Sequence, residues 1–410
     1  MSQITVFGGA GHVGSVAVQL LASSQQFSKI IIADVDKTRA EKIMEKTGSS
    51  AISFVETDAD RPESLKKAMA GSSVVLNCIG PFYKYGPTIL RTVLESKINY
   101  VDVCDDFDAT EKLLAMDKTA RDAGLSALIG MGSSPGVANV LVRFAADALL
   151  DSIDSVDIYH AHGGEPDEGG AVVKHRIHSM LIDVPVFLNG KLTTVKLFEK
   201  SGRALEEMAD FPEVGTFPVY AYPHPETITL PRHIKGVQRV TNLGIVLPPA
   251  YAELIKGVVR LGITGEEPIE VNGRKVIPLE FAVAFILSRR PRLMKESGLT
   301  EAVGCLKIVV KGRKDSEPLT YHFTMSSKGR GMGEGTGIPA ALGAILMQNR
   351  AIDRTGVFPP EGGVNPIDLL QTAGEFVKLG EKRGIPVMIE RIDGQGHSTK
   401  MDIAELVKTF

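Results

Sequence analysis

Apolar residues in the first 150 positions gather into short unbroken runs at 4–7, 29–34, 51–56, 73–78, 99–103 and 126–129, too short for helices and read as strands. Between and after them, 13–21, 38–47, 61–69, 87–96, 109–123 and 137–150 mix apolar and polar residues over longer stretches and read as helices. Six strands separated by helices predict an α/β fold with a doubly wound parallel sheet, because parallel neighbours need a crossover and a helix supplies it. Past Leu150 the texture changes. Segments 155–159, 172–177, 195–198, 306–310 and 319–323 alternate faces between long glycine and proline stretches and predict an inserted, largely antiparallel α+β domain. A further helix is expected from Thr336-Gly337-Ile338-Pro339 to Met347, with Thr336 as its cap. It has no sheet of its own to bury against, so it is expected to return to the first domain. The expected boundaries are 1–135, 136–335 and 336–410, the last as C-terminal helices. Residues 220–232, with prolines at 223, 225 and 231, read as an irregular loop closing over a pocket.

The join between the first strand and first helix carries the strongest chemical signal. Gly9, Gly11 and Gly14 have the G-x-G-x-x-G spacing. The first glycine allows a tight turn, the second lets a pyrophosphate approach the backbone, and the third lets the helix pack on the sheet. The helix N-terminus then offers free N–H groups and a positive dipole end to the phosphates. Asp34 ends the second strand twenty residues after Gly14, where a carboxylate accepts ribose hydroxyls and repels a 2′-phosphate. NAD is therefore expected over NADP, although Lys37 and Arg39 stand close enough to meet a phosphate. The candidate cofactor contacts are Gly9, Gly11, His12, Val13 and Gly14 in the loop, Asp34, Val35 and Asp58 after the second and third strands, and Cys78, Gly80 and Pro81 after the fourth.

Composition narrows the partners. With 43% hydrophobic residues, 23% charged residues and a formal net charge of −3, the chain offers no field for nucleic acid or an acidic membrane. No run reaches a membrane span, and the first strand starts too early to leave room for a secretory signal, so a cytoplasmic location is expected. Cys78, Cys104 and Cys305 are odd in number and widely spaced, which disfavours a disulfide framework or a structural zinc site.

In an open α/β sheet the ligand crevice lies beyond the carboxyl ends of the strands. Three segments fall there: Asn77 to Tyr83, Tyr100 to Asp106, and Gly130 to Gly136. Asp105, Asp106 and Tyr83 are the catalytic candidates. Adjacent carboxylates at a strand end point apart, so at most one of the aspartates faces substrate, where it can take the proton of a substrate ammonium before hydride leaves. The other is expected to cap the next helix. Ser133 and Ser134 could hold a substrate carboxylate at a helix N-terminus. In the inserted domain, Lys174 to His178 is placed on a strand beside His160 and His162, with Arg176 as a forked carboxylate ligand. Tyr220, His224 and Arg232 complete the substrate candidates. His160 and His162 share a strand face without a cysteine near them and read as hydrogen-bonding groups, so no metal is expected.

The glycine loop, Gly80-Pro81-Phe82-Tyr83, Tyr100-Val101-Asp102, Gly132-x-x-Pro135-Gly136-x-x-Asn139, Pro225-Glu226-Thr227-x-Thr229-Leu230-Pro231 and Thr336-Gly337-x-Pro339 together resemble the saccharopine dehydrogenase family, with its lysine 6-dehydrogenases and saccharopine reductases. The resemblance implies a Rossmann domain followed by an α/β substrate and dimerisation domain, a homodimer, and hydride chemistry at a carbon bearing nitrogen of an amino acid or opine. Ser134 stands where saccharopine reductases usually carry aspartate, and Asp34 where NADP-preferring members carry serine, threonine or arginine. Both departures lean towards the NAD-linked, amino-acid-dehydrogenase side. Two other classes remain open from the residues: a dinucleotide-binding regulatory protein without catalysis, and a reductase of C=C or C=O bonds. The chain has no Tyr-x-x-x-Lys dyad, which weakens a catalytic short-chain reductase most.

Overall fold

The computed structural model describes residues 2–165, 168–379 and 382–408. Its first part alternates as β1 (Gln3–Phe7), α1 (His12–Ser24), β2 (Lys29–Asp34), α2 (Lys37–Thr47), β3 (Ile52–Glu56), α3 (Pro62–Met69), β4 (Val74–Asn77), α4 (Phe82–Glu95), β5 (Asn99–Asp102), α5 (Phe107–Leu114), α6 (Asp117–Asp122), β6 (Ser126–Leu128) and α7 (Val137–Phe144). Strands β1, β2 and β4 are buried on both faces, which is why their sequences run apolar rather than alternating. Two helices differ from expectation for tertiary reasons. Helix α4 starts at Phe82 instead of 87, because the Asp106 carboxylate accepts the Tyr83 N–H at 3.0 Å and caps its first turn from another loop. The helix expected over 109–123 is split into α5 and α6, and Asp117 at the break accepts the Val357 N–H at 3.0 Å from a distant strand.

The second part contains β7 (Ser152–Gly163), α8 (Gly170–Leu181), β8 (Val184–Leu188), β9 (Lys191–Val195), α9 (Lys200–Arg203), β10 (Glu207–Phe211), β11 (Gly215–Ala221), α10 (Glu226–His233), β12 (Arg239–Leu247), α11 (Pro249–Arg260), β13 (Ile269–Val271), β14 (Arg274–Val276), α12 (Pro278–Ser297), β15 (Val303–Lys314) and β16 (Glu317–Lys328). The chain ends with α13 (Met332–Gln348), β17 (Gly356–Phe358), α14 (Pro360–Gly363), α15 (Pro366–Phe376), β18 (Lys378–Leu379), β19 (Lys382–Arg383), β20 (Met388–Ile392), β21 (Ser398–Met401) and α16 (Ile403–Lys408). No helix among the described residues is long and apolar enough to cross a membrane.

The first sheet has the order β17-β6-β5-β4-β1-β2-β3 and is parallel throughout, a doubly wound Rossmann sheet with a seventh strand supplied by the C-terminal segment. The second sheet is mixed. Its path is β10-β11-β12-β7-β15-β16-β20-β21, with the β8–β9 hairpin attached to β12, and β7 and β12 run parallel. Helices α8, α11 and α12 share an apolar core with one face of it, and α7 packs with the other.

Several sequence expectations change here. The helix expected from Thr336 starts at Met332, so Thr336 lies inside it rather than capping it, and the strand expected over 195–198 ends at Val195. Residues 172–177 form part of helix α8, not a strand: Val173, Arg176, Ile177 and Met180 are buried at helical spacing, and the adjacent valines had imitated strand alternation. The expected irregular loop over 220–232 is the end of β11 followed by α10, with Pro225 at the helix start and Pro231 only in its last turn. The segment after 335 is not helices alone. Helix α13 returns to the first sheet and contacts β4 and β5, and β17 extends that sheet, but β20 and β21 extend the second.

Helix α13 lies against α1 with almost no gap, and Gly337 makes this possible. A Cβ there would stand 2.5 Å from the Val13 carbonyl oxygen, whereas one at Gly335 meets nothing within 4 Å. Gly337→Ala is therefore expected to destabilise the protein by about 1–3 kcal/mol through overpacking. Gly335→Ala should be neutral or mildly stabilising as a helix-interior glycine replacement. Urea unfolding of the two variants checks the contrast.

Candidate active site

The carboxyl ends of β1, β4, β5 and β6 open into a cleft of about 540 Å³ whose opposite wall comes from the second sheet and α8. Gly11, His12, Val13 and Gly14 line one end of it. A Cβ on Gly14 would be 2.2 Å from the Gly8 carbonyl oxygen, so the first helical turn can press against the strand only with glycine at that position. Helix α1 has no side-chain cap and no acidic residue in its first turn, which leaves its leading N–H groups for an anion. Asp34 accepts the Ala10 N–H at 3.0 Å and the Asp36 N–H at 3.1 Å, fixing the loop while each oxygen keeps a lone pair for a ribose hydroxyl. These features fit a dinucleotide. Val35, largely exposed, and Asp58, ion-paired with Arg61 at 3.3 Å, sit after β2 and β3 outside the cleft lining, as Asp34 does.

Cys78, Gly80 and Pro81 line the cleft next to the loop. Burial, reinforced by the Asp102 charge, pushes the Cys78 thiol up to about 12, so it is no nucleophile at neutral pH. Asp102, buried at the end of β5, accepts the Gly130 N–H at 2.7 Å and the Cys104 N–H at 3.0 Å, which holds the β5 and β6 loops in fixed relation.

Asp105 and Asp106 follow, and they diverge as adjacent residues should. Asp106 is buried; besides capping α4 it meets His175 Nδ1 at 3.0 Å. Asp105 is half-buried, lies 3.7 Å from His175 Nε2 and lines the cleft as well. Burial works against charge on His175, but the Asp105 charge and the Asp106 hydrogen bond outweigh it and raise its pKa to about 9. Ligating atoms of Asp105, Asp106 and His175 lie within 4.8 Å of one another, close enough to hold a cation. As it stands, the imidazole faces both carboxylates.

Across the cleft, Arg176 is almost fully buried. Its Nη1 meets Glu168 at 2.5 Å, and Glu168 is also held by Arg290 at 3.2 Å and by the Tyr251 hydroxyl. Arg176 Nη2 has no hydrogen-bond partner among the described residues, though the side chain lines the cleft. His224 lines it too, with Nδ1 3.1 Å from Glu226; the Ser134 hydroxyl donates to the other Glu226 oxygen. Ser133 and Ser134 both border the cleft.

Three candidates fall elsewhere. Tyr83 lies behind Asp106, its ring stacked on His178 at 4.2 Å between centroids. Tyr220 is buried under Lys256 and leaves the cleft to Tyr222, two residues on. Arg232 is exposed in the last turn of α10. The roles expected of Tyr220 and Arg232 assumed a loop at 220–232, but Tyr220 lies in β11 and Arg232 in α10. The sequence reading missed His175, Tyr222 and Glu226. Only Glu226 stood in a recognisable motif, and its partners are 92 and 2 residues away in sequence.

Residues 4–128 match the saccharopine dehydrogenase NADP binding domain. Over 393 residues, 90% of this chain and 94% of the relative, the sequence is 24% identical to carboxyaminopropylagmatine dehydrogenase of Synechocystis sp.. Over 398 residues, 89% of this chain and 93% of the relative, it is 25% identical to carboxynorspermidine synthase of Vibrio cholerae. Residues 4–128 are thus similar to the nucleotide-binding domain of the saccharopine dehydrogenase family. The chain's fold is that of apo saccharopine dehydrogenase (L-Glu forming) from Saccharomyces cerevisiae, with a TM-score of 0.66 at 13% identity, covering 95% of this chain and all of that one. The charge pairing in the cleft has a measurable consequence. The folded-state pKa of His175 is raised above its unfolded value, so its contribution to stability is complete below about 6.5 and is lost as pH rises through about 9. The stability difference between the wild type and His175→Gln should shrink between pH 6 and pH 10, as read by urea unfolding.

Proposed function

We propose that the protein is an NAD-preferring oxidoreductase that transfers hydride at a carbon bearing nitrogen, on a substrate that also carries a carboxylate. The observation that carries this reading is the unbroken cleft from the uncapped α1 N-terminus to the unpartnered Arg176 nitrogen. A nicotinamide dinucleotide bound at the loop supplies or accepts the hydride. The chain's own residues do the rest. Arg176, braced from behind by Glu168, presents Nη2 to a substrate carboxylate, and the fork geometry orients it. Asp105 faces the cleft beside cationic His175 and suits a substrate ammonium or iminium. The two charges are fixed on separate elements, so a substrate with both is held at two points and its reacting carbon is positioned between them.

The relatives' names support the substrate class: carboxyaminopropylagmatine and carboxynorspermidine each name an amine carrying a carboxyl group. Asp34 supports NAD, since a 2′-phosphate would meet its carboxylate. A cofactor sensor without chemistry would have no use for buried, paired charges converging beside the dinucleotide site.

Oxidation of NADH and NADPH should be followed with mixtures of amines and carboxylated aldehydes, and reduction of NAD with carboxylated secondary amines. Turnover that needs both the amine nitrogen and the carboxylate is expected; absence of hydride transfer with every amine and imine overturns the reading. Arg176→Lys keeps the charge but loses the fork, and should raise the substrate KM at least about tenfold, ~1.4 kcal/mol, without changing dinucleotide affinity. Asp34→Ser should move the NAD to NADP preference by about tenfold towards NADP, measured as the ratio of kcat/KM values.

A further inference from the structure

We infer that His224 carries the proton exchanged with the substrate nitrogen, and that Glu226 is the buried carboxylate that positions it; this rests on the amine-directed reading above. Besides His12 in the nucleotide loop, four histidines line the cleft: His160, His162, His175 and His224. Reduction of a neutral imine needs one proton on nitrogen as the carbon gains hydride, and oxidation of an ammonium needs one removed first. The group responsible must be able to be charged, must be able to lose its charge, and must keep a ring nitrogen free for the substrate.

Three of the four fail. His160 is buried, and that burial, reinforced by the His224 charge, lowers its pKa to about 3; His162 is driven down in the same way by burial and by the Arg176 charge. Both stay neutral. His175 fails in the opposite sense, because each of its ring nitrogens faces a carboxylate, Asp106 at 3.0 Å and Asp105 at 3.7 Å, and the proton is held too firmly.

His224 meets all three conditions. One nitrogen, Nδ1, is committed to Glu226 at 3.1 Å. No described residue hydrogen-bonds Nε2, and the ring borders the cleft. Glu226 is fully buried and shares its second oxygen with the Ser134 hydroxyl, so it cannot swing away from the imidazole. The other groups facing His224 are Asp105 and His175 across the cleft and the His160 and Tyr222 rings, each with its centroid 5.5 Å away. Burial opposes charge on His224, but the Glu226 and Asp105 carboxylates prevail and shift it upward.

In the reducing direction the substrate carbon takes the hydride, the π pair of the C=N bond becomes an N–H bond to the proton leaving His224 Nε2, and the imidazole ends neutral. It regains a proton from water for the next turnover. In the oxidising direction neutral His224 takes the proton from the ammonium. Glu226 stays ionised throughout and acts through the ring, as a positioning residue.

The test combines three measurements on the full-length protein. First, kcat for reduction of an amine and aldehyde mixture is expected to fall about 10²- to 10⁴-fold in His224→Gln, with dinucleotide affinity unchanged. Second, Glu226→Gln should move one limb of the kcat/KM pH profile to lower pH, a readout that a purely structural role would not shift. Third, calorimetric binding of a carboxylated secondary amine to the wild-type protein and NAD, in buffers of different ionisation enthalpy, should show proton exchange that His224→Gln removes. This last measurement needs no turnover. Wild-type turnover with a loss under about threefold in His224→Gln and an unaltered pH profile in Glu226→Gln overturns the assignment while leaving the amine-directed reading intact. Failure of every amine and imine to turn over overturns that reading itself. Should either variant fail to fold, judged by circular dichroism, nitrogen-15 NMR of wild-type His224 decides: a neutral ring across pH 5 to 8, with or without the amine, overturns the assignment.

Discussion

A charge taken out of water has to be paired, and the cleft is built around that requirement. His175 is held by Asp106, Arg176 by Glu168 and His224 by Glu226, and each pair joins residues from different turns or different elements. Arg176 Nη2 and His224 Nε2 keep no hydrogen-bond partner among the described residues and are left for a ligand, whereas both ring nitrogens of His175 face carboxylates. Removing one partner would leave the other buried and uncompensated, which makes the carboxylates as important to the site as the groups they hold.

The scaffold supplies those pairs from both sheets. Asp106 and Ser134 come from loops at the carboxyl ends of the parallel sheet, while His175, Arg176, Glu168 and Glu226 come from the mixed sheet and its helices. The His175–Asp106 and Ser134–Glu226 contacts therefore tie the two halves together across the cleft. Helix α13 fixes them a second way, by packing through Gly337 onto the helix that opens the nucleotide loop. Strand β17 and strands β20 and β21, all from the last sixty residues, join opposite sheets, so the chain's end closes the arrangement that its beginning started.

The family relationship and the geometry bear on different parts of the molecule. The match to the saccharopine dehydrogenase NADP binding domain covers residues 4–128, where the nucleotide loop lies. The groups that would meet a substrate mostly lie beyond it, and over nearly the full length the identity to carboxyaminopropylagmatine dehydrogenase and carboxynorspermidine synthase is about a quarter.

The sequence alone determined the parallel sheet, the glycine loop and the acid after the second strand. Each of these is a local feature: an apolar run buried on both faces, a spacing of glycines, a fixed distance to Asp34. It also placed Asp105, Asp106, Ser134, Arg176 and His224 among the candidates by residue type and position near strand ends. It misread α8 as a strand and α10 as a loop, because adjacent valines and closely spaced prolines imitate other structures until packing shows which faces are covered. What only the tertiary structure decided is pairing. Nothing local to His175 points to Asp106, 69 residues away, and nothing local to Ser134 points to Glu226, 92 residues away. Those contacts exist because two sheets close on each other and bury charges that must then find partners.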